Sequence, residues 1–316
     1  MKILVTGAGG WLGSELTKRL LEQGNDVRAL VLFTSNKLKK LKNEYLNNLE
    51  IIEGDICDNE ILSQSLSDVD IVYHLAAKVH YMPKNKAEEE EFFKINTIAS
   101  ENIFKLSLKN NIKRVIFYSS VSVYGESDNI VTTSNTKKPV TPYAKSKFMA
   151  EEIGLNLFKE KGLPITIIEP VTVYGGDDVG NFEKLKSLIN KGIVARFGDG
   201  NNKKTIIYYK DLISMTVNIA NDKNAIGKVI ICGTESISLN NIIDALKDSS
   251  GKKVITLKIN NLLTRLIVKT LNFIRLSLTR KIARQIVVLS SNNEYSLESS
   301  EIYVDKYTSF REYYCN

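Results

Sequence analysis

Ile3-Leu4-Val5-Thr6-Gly7-Ala8-Gly9-Gly10-Trp11-Leu12-Gly13 is the stretch that decides the fold. A short apolar run reads as a buried parallel strand. Glycines follow at 7, 10 and 13, and then a helical pattern runs through Leu16, Leu20 and Leu21. Strand, glycine turn and helix are the context a dinucleotide-binding loop requires. Glycine lets the backbone turn tightly and approach a pyrophosphate, and the new helix offers unpaired N–H groups and its positive dipole end. An ordinary glycine-rich turn is the alternative.

Working outward, the pattern repeats. Asp26–Leu32, Leu49–Glu53, Ile71–His74 with its exit Leu75-Ala76-Ala77, Lys113–Ser119 and Ile165–Glu169 read as strands, with helical segments between them. This alternation predicts an α/β fold with a doubly wound parallel sheet. Near residue 175 the pattern changes. Gly175-Gly176-Asp177-Asp178 opens a loop, Phe182–Lys191 reads as a helix, and Thr205–Tyr209 as a short strand. Residues 1–175 are expected to form the dinucleotide-binding domain, with returns to its sheet at about 205–235. Residues 176–316 are expected to form mainly a substrate-binding lobe, from elements too short to build a core of their own.

Composition sets limits. The chain has 316 residues, 43% hydrophobic and 25% charged, with a formal charge of +7 and a pI near 9.0. That charge suits anionic ligands such as nucleotides, but no compact basic block interleaved with aromatics points to nucleic acid. Cys57, Cys232 and Cys315 match no metal or disulfide spacing, so no metal is expected and a reducing, cytoplasmic setting is. The sequence opens directly into a strand-like run, without a leader pattern, and holds no apolar run long enough to span a bilayer.

The chemistry concentrates between Ser119 and Lys147. Ser119-Ser120-Val121-Ser122-Val123-Tyr124-Gly125 follows the fifth strand, and Tyr143-Ala144-Lys145-Ser146-Lys147 lies on the next helix, begun by Pro142. Tyr143 and Lys147, four apart, share a helix face. A nearby ammonium is expected to pull the phenol below its usual value of about 10. Tyr143 then becomes a candidate acid/base for an alcohol or carbonyl oxygen, with Ser120 positioning that oxygen. Other residues keep two readings. No acid ends the second strand to bind adenosine ribose hydroxyls, and Lys37, Lys39, Lys40 and Lys42 read as a 2′-phosphate contact or as a solvated helix face. Asp55 reads as an adenine ligand or a helix cap. His74 reads as a satisfied core histidine. Asn96, within a long helix over Glu88–Asn110, bridges to the site backbone or lines the helix surface. Leu262–Leu289, with Arg265, Lys269, Arg275, Arg280, Lys281 and Arg284, reads as lobe helices with solvated basic faces, or as a surface leaning on a membrane or partner.

Together these motifs resemble the extended short-chain dehydrogenase/reductase family, in its NAD-dependent epimerase/dehydratase branch, over nearly the whole chain. The resemblance rests on Thr6–Gly13, Gly54-Asp55-Ile56, His74–Ala77, Asn96, Ser119–Gly125, Tyr143–Lys147, Pro170–Gly175 and Gly198–Asp211. It implies a Rossmann fold binding NAD or NADP. The implied cofactor contacts are Gly7, Gly10, Trp11, Leu12, Gly13, Asp55, Ile56, Leu75, Ala76, Ala77, Asn96, Ser119, Tyr143, Lys147 and Pro170. The implied catalytic residues are Ser120, Tyr143 and Lys147. The implied substrate contacts are Lys78, Ser120, Ser122, Tyr143 and Lys204, on a nucleotide-linked sugar.

The stretch Leu75–Met82 and the Ser119–Glu126 loop look most like UDP-sugar 4-epimerases and 4-keto sugar reductases of polysaccharide clusters. Val121 and Ser122 stand where the family's 4,6-dehydratases carry an Asp-Glu pair, so dehydration is not expected. Glu169 and Lys204 stand where many relatives carry arginine, and the C-terminal Leu-Gly-x-x-Pro signature is degraded around Ile302–Ser309. The expected function is a sugar-nucleotide 4-epimerase. An NADPH-dependent 4-keto sugar-nucleotide reductase is the alternative. Behind these stand a membrane-surface dehydrogenase of a sterol-like or lipid-linked sugar substrate and a non-catalytic dinucleotide-binding protein. The resemblance also implies a homodimer through the helices holding Asn96 and Tyr143.

Overall fold

Alternate residues of the first strand go to opposite sides of the sheet: Ile3 and Val5 join one buried cluster, Leu4 another. A strand that is apolar on both faces must be covered on both, which is the condition of a parallel sheet flanked by helices. The computed structural model describes residues 1–79, 83–127, 129–177, 180–274 and 277–315. Of the residues singled out above, His80, Tyr81, Met82, Asp178 and Arg275 lie outside these.

The nucleotide-binding half runs β1 (Lys2–Thr6), α1 (Trp11–Glu22), β2 (Asp26–Val31), α2 (Asn36–Glu44), β3 (Leu49–Glu53), α3 (Asn59–Ser65), β4 (Ile71–His74), α4 (Lys86–Phe93), α5 (Ala99–Lys109), β5 (Arg114–Tyr118), α6 (Pro142–Lys161) and β6 (Ile165–Pro170). There follow β7 (Thr172–Tyr174), α7 (Asn181–Asn190), β8 (Ile193–Phe197), β9 (Lys203–Tyr208), α8 (Tyr209–Asn221), β10 (Val229–Cys232), β11 (Glu235–Ser238), α9 (Leu239–Ser250), β12 (Ile255–Ile259), α10 (Asn261–Phe273), α11 (Ser277–Ser290) and α12 (Phe310–Cys315). The main sheet has the order β10-β6-β5-β4-β1-β2-β3, with every pair parallel. This is the doubly wound Rossmann arrangement, with its strand order reversing beside β1. All C-terminal strand ends therefore open on one edge.

The long helix read over Glu88–Asn110 carries a π-turn at Lys94–Ile98 between α4 and α5. Asn96 sits in that turn, and its partners, described below, account for the deformation. The lobe also departs from expectation. It owns a buried cluster that joins Tyr174, Phe182, Leu185, Ile189 and Ile206 to Leu246, Phe310 and Tyr314. Its short elements suffice because α12 brings two aromatics from the far end of the chain. Phe310 lies 5.1 Å from Tyr174 and 4.6 Å from Tyr314 between ring centroids. Tyr295 and Tyr303 instead return to the main domain's buried cluster.

The glycine turn is fixed by close backbone packing. Gly7 has φ +72°, and a Cβ on Gly13 would stand 2.2 Å from the Gly7 carbonyl oxygen. A Cβ on Gly10 would meet that same oxygen at an ordinary 3.4 Å. Gly13→Ala is therefore predicted to cost about 2 kcal/mol or more through overpacking, while Gly10→Ala keeps the wild-type melting temperature. Thermal denaturation of the two variants side by side checks this, and equal melting points would contradict it.

Candidate active site

The site is assembled where α1, β4, β5 and α6 meet at the strand ends. At the start of α1, Gly10 is the N-cap, and among the described residues no side chain caps it and no acid occupies its first turn. The first N–H groups of the helix are left for an anion. Beside them, the Thr6 hydroxyl meets the Ala76 N–H at 3.2 Å and His74 Nδ1 at 2.7 Å, while His74 Nε2 meets Ser100 Oγ at 2.8 Å. His74 is fully buried and held well below its ordinary pKa, by burial first and by the Lys147 charge second. It is the core histidine read from the sequence.

Asn96 closes the next layer. Its Oδ1 accepts from the Lys78 N–H at 2.7 Å, and its Nδ2 donates to the Lys78 carbonyl and to Ser146 Oγ, each at 3.0 Å. These bonds clamp the exit of β4 to α6, so Asn96 positions the cleft wall. Lys78 turns its ammonium to Glu91. Asp55, exposed, folds its carboxylate onto the Cys57 N–H at 2.9 Å, and the cap of α3 is Asp58.

Tyr143 and Lys147 lie one turn apart on α6, whose N-cap Thr141 accepts from the Ala144 N–H. Ser120, beyond the end of β5, stands against Tyr143, and its Oγ accepts from the Ser122 N–H at 3.2 Å. The sequence expectation for the phenol is corrected here. Burial pushes Tyr143 up to about 12, the Ser120 hydrogen bond opposes this, and the Glu151 charge adds to it. Lys147 Nζ instead donates to the Tyr118 carbonyl at 2.7 Å and lies 4.7 Å from the centre of the Phe117 ring. Burial lowers it to about 7, against the pull of Glu151. Ser122 Oγ and Trp11 Nε1 are buried and find no partner among the described residues.

Behind this floor lies a constellation that sequence reasoning missed. Glu151 and Glu169 are both fully buried, and Lys137, from the loop before α6, pairs with both, at 2.7 Å in the case of Glu169. Tyr124 Oη donates to Glu169 at 2.8 Å, and the Ser119 hydroxyl donates to Glu151. Ser119 thus offers its side chain to the protein interior. Burial raises the pKa of both carboxyls. Glu151 repeats the four-residue spacing of Tyr143 and Lys147, which was a legible signal. Lys137 carried none.

Lys204 is engaged within the protein. Its ammonium donates to the carbonyls of Val288 and Ser291 at the end of α11, and burial lowers it to about 8. Of the lysines after β2, Lys37 pairs with Glu15 and Asp177, and Lys42 with the Leu46 and Leu49 carbonyls.

The uncapped helix start, the open side of Gly10 and the orphaned Trp11 and Ser122 groups fit a bound dinucleotide and a polar substrate. A Rossmann sheet with a Ser–Tyr–Lys set at its strand ends defines the class as extended short-chain dehydrogenase/reductase. Residues 3–233 match the NAD-dependent epimerase/dehydratase family, and the chain belongs to it. It is 30% identical to a UDP-glucose 4-epimerase of Vibrio cholerae over 235 residues, 72% of this chain and 69% of that protein. It is 26% identical to an N-acetyl-alpha-D-glucosaminyl-diphospho-ditrans,octacis-undecaprenol 4-epimerase of Escherichia coli O157:H7, over 80% of this chain and 73% of that one. The crystal structure of a UDP-glucuronic acid 4-epimerase from Bacillus cereus in complex with NAD superposes with a TM-score of 0.79 at 26% identity, covering 100% of this chain and 96% of that one.

Lys137→Met leaves two buried carboxyls without their cation and is predicted to cost about 3–5 kcal/mol. The sign of its pH dependence follows from the raised pKa values. The folded state holds more protons than the unfolded one above the ordinary carboxylate range, so stability falls as pH rises through that window. Without Lys137 the fall extends further. Melting temperatures of both proteins between about pH 5 and pH 8 are predicted to diverge with rising pH, and a constant difference would contradict the arrangement.

Proposed function

We propose that the protein is a sugar-nucleotide 4-epimerase that retains its dinucleotide through the cycle. The observation that carries this reading is that Ser120 stands against the Tyr143 phenol at the strand ends, with Lys147 one turn along the same helix. Bound over this floor, the dinucleotide supplies a hydride acceptor that becomes the donor for the return step. Ser120 holds the C4 oxygen of the sugar. Tyr143, as phenolate, takes the proton of the C4 hydroxyl when the C4 hydrogen leaves as hydride, and gives it back when hydride returns to the other face. A phenol near 12 needs positive charge beside it to ionise at neutral pH. Lys147 and a bound oxidised nicotinamide bring that charge.

Gly7, Gly10, Trp11, Leu12 and Gly13 are proposed to hold the pyrophosphate, Asp55 and Ile56 the adenine, and Leu75, Ala76, Ala77 and Pro170 the walls of the cleft. The free hydroxyl of Ser122 suits a sugar hydroxyl. No carboxylate stands at Val121 or Ser122, which supports epimerisation over dehydration. Lys37 and Lys42 are engaged within the protein, which supports NAD over NADP and the epimerase over the NADPH-dependent reductase. Exposed Ile98 and Met149, beside the π-turn and on α6, suit the proposed homodimer contact.

Tyr143→Phe is predicted to lower turnover by about 10³-fold with dinucleotide binding kept, measured by epimerisation of UDP-glucose or UDP-N-acetylglucosamine and by titration with NAD. Near-normal turnover would remove Tyr143 from the mechanism. Wild-type protein denatured after purification is predicted to release NAD in near-stoichiometric amount. Protein that emerges empty and binds NADPH better than NADH would favour the reductase.

A further inference from the structure

The helical hairpin α10–α11 is amphipathic with its apolar side turned to solvent. Leu262, Leu266 and Phe273 are 79%, 59% and 86% exposed. Their spacing puts them on one stripe of α10, with Lys269 between them. On α11, Leu278 and Ile282, four apart, are also exposed. A helix that packs on a protein core buries such a stripe. Here the core-facing positions are others: Thr264, Ala283 and Ile286 are buried.

The charge of the segment says what covers the stripe. Residues 249–293 contain nine Lys and Arg and no Asp or Glu, so this segment carries more than the whole +7 of the chain. Arg265 and Lys269 are exposed beside the apolar stripe of α10, and Arg284 is exposed on α11. Leucine and phenylalanine on one face with lysine and arginine along it match the boundary between acyl chains and anionic headgroups. A second copy of the chain would set two positive faces against each other. With 13 residues α10 is about 20 Å long, and among the described residues no helix is long and apolar enough to cross a membrane. The hairpin can therefore lie on a bilayer.

It is also firmly attached. The Lys204 ammonium holds the Val288 and Ser291 carbonyls, and Asn202 Nδ2 donates to the Leu289 and Ser291 carbonyls at 2.8 and 3.0 Å. The carbonyls that a helix end leaves unpaired are met by side chains of β9 and the turn before it.

We propose that α10 and α11 dock the protein on an anionic lipid surface, lying in its interface. This does not rest on the reaction proposed above, because binding is read without substrate. The test uses the full-length protein in density-gradient flotation with vesicles of phosphatidylcholine alone or mixed equally with phosphatidylglycerol. Wild type is expected to float with the anionic vesicles only, and to be released as salt rises from about 0.1 to about 0.5 M. Leu266→Glu combined with Phe273→Glu is expected to lower the bound fraction at least about tenfold at an unchanged melting temperature. Lys269→Glu with Arg265→Glu is expected to weaken binding in the same direction. Wild type that stays at the bottom of the gradient, or a Leu266→Glu/Phe273→Glu protein that floats as well as wild type, would overturn the proposal. So would a dimer that this double variant converts to monomer, because the face would then belong to a second copy.

Discussion

The ammonium of Lys137 between the buried carboxyls of Glu151 and Glu169 is the interaction that underlies the candidate site. Glu151 belongs to α6 and Glu169 to β6, while Lys137 comes from the loop between β5 and α6. One cation thus ties three pieces of backbone behind the cleft. Two carboxyls at this depth repel when both are ionised, so the cation adds to the apolar packing by which Ala150 and Leu157 seat the helix carrying Tyr143 and Lys147. Ser119 and Tyr124 add hydrogen bonds to the same pair from the strand end that delivers Ser120. The geometry of Ser120 and Tyr143 is set from behind.

The front of the cleft is organised by a different economy of hydrogen bonds. Interior polar groups there are consumed by the protein: His74 by Thr6 and Ser100, Asn96 by Lys78 and Ser146, and Lys147 by the Tyr118 carbonyl. The groups left over are the first N–H groups of α1, Trp11 Nε1 and Ser122 Oγ. A buried polar group without a partner is costly, so a ligand that satisfies these groups gains where the protein alone loses. The π-turn at Asn96 belongs to the same logic, since it brings the amide to the Lys78 backbone.

The lobe follows from length and aromatics. The cluster around Tyr174 and Phe182 is completed by Phe310 and Tyr314 of α12, so the last turn of the chain closes a core begun more than a hundred residues earlier. Between them the α10–α11 hairpin keeps Leu262, Leu266 and Leu278 in solvent while its end is fastened through Lys204. The family resemblance implies an arginine at that position, able to fork onto a diphosphate. A lysine with a compact ammonium is used here to gather helix-end carbonyls.

By itself the sequence determined the parallel sheet, the glycine turn, the family, the core histidine at His74 and the placing of Tyr143 and Lys147 one turn apart on the helix that follows Ser120. These rest on local spacing: apolar runs, glycines three apart, a tyrosine and a lysine one helical turn apart. Only the tertiary structure decided that Lys147 turns to Tyr118, that Asn96 clamps Lys78, that Asp58 and not Asp55 caps α3, that Lys204 meets the Val288 and Ser291 carbonyls, and that the lobe has its own core. It alone brought Lys137, Glu151 and Glu169 together and turned the apolar stripe of α10 outward. The physical reason is common to these cases. Which partner a charged or polar side chain finds, and which face of an amphipathic helix is covered, depend on groups distant in the chain, and no local spacing records them.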